Sequence, residues 1–265
     1  MSIVSIQHNS WEEILMKLTV CLTALCAVLI LAGSALAENP ASLRSSGIAG
    51  VRHTQSNTAP KYCKPCLFYG GDWNETATNW AAFGNTDNTV TGDDFENFSP
   101  FQVKAASTAT GLFTNNLSLT GCTLDPKKAL WSIHTGVKTG SGGKVVAHGT
   151  AAATFVATGR ADGSYPECTA LVKIKALKLK AATTYWEQVT GECTSTANCS
   201  GSYYYETDTF NAKGTKPGAN AVGVAEPKDK SFAYSKNDSY DYVNDDSEGY
   251  ADPAGSWMSA GVIGK

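Results

Sequence analysis

The sequence predicts an all-β protein, an antiparallel β-sandwich of the jelly-roll type supported by disulfide bonds. Three observations lead to this fold class. Short apolar runs alternate with glycine, proline, asparagine and serine, as in sandwiches and barrels. Charged residues make up only 17% of the 265 residues, while glycine is plentiful and methionine scarce, whereas an average soluble protein has about 25% charged residues. No segment has the periodicity of a long amphipathic helix.

The formal net charge of −3 does not indicate a polyanionic partner. We therefore expect no nucleic-acid partner. The composition also disfavours a coiled coil and a protein with several membrane spans.

A secretory signal peptide is predicted at residues 1–37. Leu18–Leu36 is apolar, follows Lys17 and closes with Ala35-Leu36-Ala37, which places small residues at the −3 and −1 positions of a cleavage site. We expect Met16 to be the true start. The alternative is an uncleaved anchor, since the run approaches the roughly 18 to 20 residues that span a bilayer. After cleavage we expect no membrane span and a secreted or periplasmic location.

Of the eight cysteines, Cys21 and Cys26 leave with the signal peptide, and an even number remains, as in an exported disulfide framework. Six cysteines allow 15 pairings. Loop lengths favour three bonds, the last by elimination: Cys193 with Cys199, Cys63 with Cys66, and Cys122 with Cys168.

The segment Cys63-Lys64-Pro65-Cys66 has the spacing of a thioredoxin-type redox pair. Such a pair opens a helix, but an apolar strand and Gly70-Gly71 follow here. We therefore interpret it as a structural bridge. A redox pair and half of a zinc site remain as alternatives, although zinc requires two further ligands.

Residues 38–61 are rich in serine, threonine, asparagine and glycine, lack apolar periodicity and are predicted to be flexible. A single domain is expected at residues 62–265. Its predicted strands are Cys66–Tyr69, Asp94–Val103, Thr110–Leu119, Ala129–Thr135, Lys144–His148, Thr154–Thr158, Cys168–Ile174, Thr184–Val189, Tyr203–Thr207, Ser231–Ser235 and Met258–Ile263.

Ala170–Lys180 is the best helical candidate, but its pattern favours strands. Val172 with Ile174, and Leu177 with Leu179, alternate with lysines at period two. We interpret the segment as a half-buried pair of strands with a lysine face in solvent.

The clearest hairpin joins Ala129–Thr135 to Lys144–His148. Trp131 and Ile133 are expected to point the same way as Val145 and Ala147, so that opposed residues have numbers with an even sum. This parity places His134 and His148 on the other face as neighbours. We expect the two histidines to face solvent. A transition-metal site is the alternative, although a third ligand is missing.

Two acidic clusters are predicted to be solvated loops. One contains Asp87, Asp93, Asp94 and Glu96 beside Asn85 and Asn88; the other contains Asp238, Asp241, Asp245, Asp246, Glu248 and Asp252. No cofactor is expected, but loop carboxylates are ligands for calcium, so structural calcium is an alternative. Glycoside hydrolysis by paired carboxylates is another. No H-E-x-x-H, G-x-S-x-G or Walker A motif occurs.

Aromatic residues supply the candidate ligand-binding positions. Trp73 and Trp80 lie in a region rich in asparagine and glycine, and Tyr203 and Tyr205 share a strand face. Exposed rings contact the apolar faces of sugars. The alternative is that most of these rings fill the core.

Several segments resemble, in order, a group of exported bacterial proteins of unknown function: Asp93–Phe95, Thr110–Asn116, Leu130–Gly136, Gly142–Gly149, Thr184–Trp186 and Ser259–Gly264. The resemblance covers most of Tyr62–Gly264. Members of this group are similar to β-sandwich ectodomains that carry sorting or anchor tails. It implies an exported bacterial β-sandwich and assigns no activity or catalytic residue.

We therefore expect a secreted, non-catalytic protein that binds an extracellular glycan or the envelope surface. A secreted glycosidase-like hydrolase using the acidic loops is one alternative. A structural or adhesive envelope protein is another. The binding interpretation rests on analogy at the level of the fold.

Overall fold

The computed structural model describes residues 42–44, 60–72, 81–88, 93–118, 121–122, 127–162, 164–193, 204–207, 232–235, 239–242 and 258–265. All of them belong to one compact unit, Pro40–Lys265. The predicted signal peptide lies outside the described residues.

The regular elements of the described residues are all strands. They are β1 Ser42–Arg44, β2 Cys66–Tyr69, β3 Ala81–Gly84, β4 Thr86–Asn88, β5 Asp93–Phe101, β6 Ser107–Ser118, β7 Lys128–Thr135, β8 Lys144–Asp162, β9 Tyr165–Leu179, β10 Tyr185–Cys193, β11 Tyr204–Thr207, β12 Phe232–Ser235, β13 Ser239–Tyr242 and β14 Ala260–Gly264. The predicted all-β class is confirmed.

The described strands form one sheet in the order β1-β3-β11-β6-β9-β8-β7-β10-β4-β5-β12-β13, and β14 joins β2 to β6. Their pairing is antiparallel except between β4 and β10. The sheet curves into a half-barrel. Thr114 on β6 donates a hydrogen bond of 3.0 Å to the Val189 carbonyl on β10, although three strands separate β6 from β10 in the sheet. This contact shows how far the sheet curls back towards itself.

The main hydrophobic core fills the inside of this curve. Leu112, Val172 and Val262 on one arm meet Ile133 and Val189 on the other, and all five are buried. These residues alternate with others along their strands, as the period of a strand requires. We call the side that carries them the core face.

A second cluster lies on the opposite side of β6 and β9, where Phe113 is paired with Leu171. Tyr62 packs edge-on against Phe113 at 5.0 Å between ring centroids, and Tyr69 lies 5.6 Å from the same ring. Residues 60–72 thus cover this side of the sheet, which we call the covered face.

Two of the predicted disulfides are present. Cys63 is bonded to Cys66 within the covering residues, and Cys122 is bonded to Cys168 at the start of β9. Cys193 is also disulfide-bonded, but its predicted partner Cys199 lies outside the described residues. The interpretation of the C-x-x-C segment as a bridge that leads into a strand agrees with β2.

The predicted strands Lys144–His148 and Thr154–Thr158 are parts of one long strand, β8. The sequence suggests a break at Gly149, but Gly149 is paired with Trp131 on β7. A Cβ at position 149 would lie 3.3 Å from the Trp131 indole. The glycine therefore makes room for a large neighbour within the strand instead of ending it.

The expected strand pair over Ala170–Lys180 is also one strand, β9. Ala109 is paired with Leu177 and Gly111 with Lys173, so three residues of β9 oppose Thr110. This β-bulge changes which residues face the core. The change in the alternation of apolar residues and lysines within Ala170–Lys180 therefore reflects a bulge in one strand, and not a turn between two strands.

Short polar strands are not predicted from the sequence. Ser42–Arg44 pairs with β3 inside the segment predicted to be flexible, and Ser239–Tyr242 pairs with β12. The first acidic cluster is predicted as loops apart from Asp94 and Glu96 in the predicted strand Asp94–Val103, and this is wrong for Asp87, which lies on β4, and for Asp93, which begins β5. Polar residues form strands here because neighbouring backbones pair with them, which composition does not reveal.

Candidate functional site

A buried ionic cluster lies on the covered face, where β8 turns into β9. Its central residue is Arg160, which is flanked by Asp72 and Glu167. The ladder between β8 and β9 is irregular between Ala157 and Ala161, and Gly159 adopts a φ of 91°. This local distortion directs the Arg160 side chain towards Glu167 on the paired strand.

The arginine binds both carboxylates. Arg160 Nη1 lies 3.1 Å from Asp72 Oδ1, and Nη2 lies 2.5 Å from Glu167 Oε2. Nε donates to the same Glu167 oxygen at 2.6 Å, and the Thr158 hydroxyl donates to it at 2.7 Å. The side chain of Glu167 is fully buried and that of Asp72 is 4% exposed. Charged side chains are buried at this depth when they are paired.

Two tyrosines and an asparagine extend the cluster along β6. Tyr69 Oη donates to Asp72 Oδ1 at 2.5 Å, and Asn115 Nδ2 donates to Tyr69 Oη at 3.2 Å and to Ser259 Oγ at 2.8 Å. Tyr62 Oη donates to Asn115 Oδ1 at 3.1 Å. The polar groups thereby connect the covering residues to the sheet and to the C-terminal segment.

The ionisation of the cluster follows from its burial. Burial raises the pKa of Tyr62 to about 12, with the Glu167 and Asp72 carboxylates adding to the rise. Burial and the Asp72 charge raise the pKa of Tyr69 further above its usual range. Burial alone would lower the pKa of Arg160, but the Glu167 carboxylate and its neighbours outweigh burial and raise it. At neutral pH the phenols are neutral donors and the guanidinium is charged. The cluster therefore stabilises the packing of the covering residues against the sheet.

A second buried network joins the two arms of the half-barrel. Asn85 lies between β3 and β4, and its Nδ2 donates 2.9 Å hydrogen bonds to Asn116 Oδ1 and to the Val189 carbonyl. Its Oδ1 accepts from Thr190 at 2.8 Å. Gln188 continues the chain of hydrogen bonds from Thr190. Asn85, which the sequence groups with possible metal ligands, therefore serves the fold.

The two histidines share a face, as the parity predicts. His148 is opposite Ser132, so it lies diagonal to His134. The expectation that both face solvent is wrong for His134, which is only 6% exposed. Its ring packs against Phe98 at 4.9 Å between centroids, and Nδ1 donates to the Gly142 carbonyl at 2.6 Å. Burial lowers the pKa of His134, and the nearby His148 lowers it further.

The parity argument fails beyond Ile133. A bulge shifts the register there, so Val145 is opposite His134 and not on the side of Ile133. Val145 is 47% exposed. In the turn before β8, Gly143 has a φ of 66°.

Acidic residues lie at paired positions on the neighbouring strands β4, β5 and β10. Asp87 on β4 is opposite Asp94 on β5 and beside Glu192 on β10. The side chains of Asp87 and Asp94 are not described. Asp241 lies on β13, and the rest of the second acidic cluster falls outside the described residues. Within the described part of the chain, no group of three histidine, cysteine or acidic side chains is placed to hold a metal ion.

The predicted aromatic binding residues are mostly outside the described chain. Trp73, Trp80 and Tyr203 belong to segments that are not described. The backbone of Tyr205 lies on β11 and is paired with Gly84 and Leu117.

Sequence reasoning missed the buried acids and their partners. Glu187 on β10 is fully buried on the same face as Tyr185 and Val189, and it is opposite Ile133. Alternation along β10 predicts this placement once Val189 is assigned to the core. No local sequence pattern predicts that Arg160 pairs with Asp72, because the two residues are far apart in the sequence.

The charges of the described surface are segregated. Twelve lysines are exposed: Lys61, Lys64, Lys104, Lys127, Lys128, Lys138, Lys144, Lys173, Lys175, Lys178, Lys180 and Lys265. Among the residues whose burial is described, no aspartate or glutamate is exposed. The net charge of the whole chain is slightly negative, but the exposed charged side chains among the residues whose burial is described are basic.

No helix among the described residues is long and apolar enough to span a membrane. Comparison of the chain with family models, with curated proteins and with solved structures gave no match.

Proposed function

We propose that the protein is a secreted bacterial binding protein, without catalytic activity, for an extracellular glycan or an envelope surface. The observation that carries this proposal is the segregation of charge on the described sheet. Among the residues whose burial is described, the exposed charged side chains are lysines, while Asp72, Glu167 and Glu187 are buried and Glu96 and Glu192 are half-buried.

This arrangement favours binding over hydrolysis. A glycosidase needs two carboxylates that reach the scissile bond. Asp72 and Glu167 are instead paired with Arg160 inside the covered face. Lysine and threonine side chains on a rigid sheet bind a ligand through charge and hydrogen bonds without chemistry at the ligand.

The disulfides and the curvature support the remaining parts of the proposal. Disulfides persist in oxidising compartments, which agrees with export behind the predicted signal peptide. A half-barrel whose two arms meet across a buried core also supports a sandwich of the jelly-roll type, because the two arms of the one sheet face each other as the layers of a sandwich do.

A glycan array that holds neutral and acidic polysaccharides tests the proposal. We expect retention of the purified protein on at least one class of glycan. A broad panel without binding would contradict it. Glycan cleavage that is lost in Asp87→Asn or Asp94→Asn would support the hydrolase instead.

A further inference from the structure

We infer that Lys173, Lys175, Lys178 and Lys180 form a binding site for an acidic polysaccharide. We call these four residues the lysine row. The inference rests on the proposed function and adds the class of ligand and its position.

The bulge in β9 places the lysine row on one side of the sheet. In an uninterrupted strand, Lys173 and Lys175 would point away from Lys178 and Lys180, because successive residues alternate in direction. The bulge, at which three residues of β9 oppose Thr110, breaks this alternation, and Lys175 and Ala176 are both exposed there. All four lysines are consequently exposed, whereas Val172, Ile174 and Leu179 between and beside them are buried.

Within the described part of the chain, no lysine of the row forms an ion pair with a carboxylate. The described ion pairs of Asp72 and Glu167 are formed with Arg160 instead. Lys178 Nζ donates to the Thr108 hydroxyl at 3.0 Å. Lysines two apart on a strand are roughly 7 Å apart, so their charges repel and a bound polyanion would relieve the repulsion.

The shape of the row indicates a single linear polymer. It follows one strand for about 20 Å. The neighbouring strand β6 offers hydroxyl groups on Thr108 and Thr110 in place of further lysines. A row of positive charges beside hydroxyl groups is the complement of a sugar chain that carries carboxylates or sulfates.

Other polyanions fit the row less well. Sequence-tolerant binding of a single nucleic-acid strand uses exposed aromatic rings, and no aromatic residue is exposed among those whose burial is described. Arg160, the arginine whose side-chain contacts are described, is held in the buried cluster. An anionic bilayer would require apolar anchors beside the charges, but the large exposed apolar residues are Val145, Val146 and Val156 on β8.

The experiment compares three variants of the purified protein. The first changes all four lysines of the row to glutamine, and the second changes them to arginine, which keeps the charge. The control changes Lys61, Lys127, Lys128 and Lys138 to glutamine and thus removes equal charge elsewhere. Binding is measured by calorimetry with polygalacturonate, dextran sulfate, neutral dextran, duplex DNA, and vesicles of phosphatidylglycerol and phosphatidylcholine. Unfolding midpoints check that each variant folds.

We expect the wild type to bind both acidic polymers, with an affinity that falls as salt rises. The glutamine variant of the row should lose about tenfold or more in affinity, while the arginine variant and the control bind nearly as the wild type does. Binding to neutral dextran alone, unchanged in the row variant, would overturn this inference and leave the proposed function standing. Absence of binding to both acidic polymers would overturn the inference, while the proposed function would be contradicted by the broad glycan array without binding. Tighter binding to DNA or vesicles would overturn the inference.

Lysines also protect open strand edges from association, and beyond Val172 the described strands pair with β9 only through β6. If the glutamine variant of the row aggregates but binds the acidic polymers with unchanged affinity, edge protection explains the lysines and the inference is wrong.

Discussion

At the scale of single residues, Arg160 is the cation of the buried ionic cluster. It neutralises Asp72 and Glu167, which come from different segments and are both buried. Two carboxylates without their cation would be left in a poorly solvated place. Removal of one partner from a buried ion pair costs far more than the pair contributes.

We expect Arg160→Met to lower the free energy of unfolding by about 3 to 5 kcal/mol. Lys175→Met, which removes the same charge at an exposed position, should change it by about 0.5 kcal/mol or less. Urea unfolding followed by tryptophan fluorescence measures both. Equal losses in the two variants would show that Arg160 contributes only net charge.

Tyr62 makes the fold sensitive to alkali. Its pKa is about 12 in the folded protein and about 10 in an unfolded chain, so the unfolded chain loses this proton first as pH rises. The stabilisation of the folded protein that comes from the protonated Tyr62 phenol is complete below a pH of about 10. It is lost as the pH rises from about 10 to 12. Wild type should therefore lose roughly 2 kcal/mol more over this range than Tyr62→Phe does. Parallel stability curves for the two proteins, measured by urea unfolding at each pH, would contradict this assignment.

At the scale of elements, β14 connects the C-terminus to both β2 and β6. It depends on a close approach of backbones at Gly264, whose N–H donates to the Pro65 carbonyl at 2.9 Å. A Cβ at this position would overlap the Thr108 carbonyl oxygen and lie 2.7 Å from Leu67 Cδ1. The backbone oxygen cannot rotate away, so the strand itself would have to move.

Gly264→Ala should therefore destabilise the protein by about 1 to 3 kcal/mol or more. Gly149→Ala is the matched control, because its Cβ would meet the Trp131 ring at 3.3 Å and a ring adjusts more easily than backbone. Amide hydrogen exchange along β14 and β6 should accelerate in Gly264→Ala alone. Similar exchange in both variants would show that β14 tolerates a side chain there.

At the scale of the whole molecule, polar contacts and disulfides hold distant parts of the sheet together. Asn85 bridges the two arms through Asn116 and Val189. The bond between Cys122 and Cys168 spans 46 positions, while that between Cys63 and Cys66 spans three. In the chain-entropy model, a bond that closes a longer loop restricts the unfolded chain more.

The paired variant Cys122→Ala/Cys168→Ala should lose about 4 kcal/mol of stability, and Cys63→Ala/Cys66→Ala about 2 kcal/mol. Guanidinium unfolding midpoints compare the two. The order would reverse if the short bond mainly holds the covering residues on Phe113 and the Arg160 cluster, in which case the chain-entropy account fails here.

Much of the strand content follows from the sequence because alternation is a local property. Cys66–Tyr69 is predicted with the bounds that the structure has, since its apolar run ends at two glycines. The bulge in β9 and the polar strand β4 are visible only once their partners are in place. The buried ionic cluster is not predicted from the sequence, because Asp72 and Glu167 come together only through their separate contacts with Arg160.

The sequence by itself determined that the chain folds into strands and which lysines of β9 face solvent, and its loop lengths favoured the two disulfide bonds that are described. Short-range periodicity and loop length carry that information. The tertiary structure alone decided which polar side chains are buried, that His134 is covered by Phe98, and that the four lysines of β9 share one side. These outcomes depend on curvature and register, which arise from contacts between residues far apart in the chain.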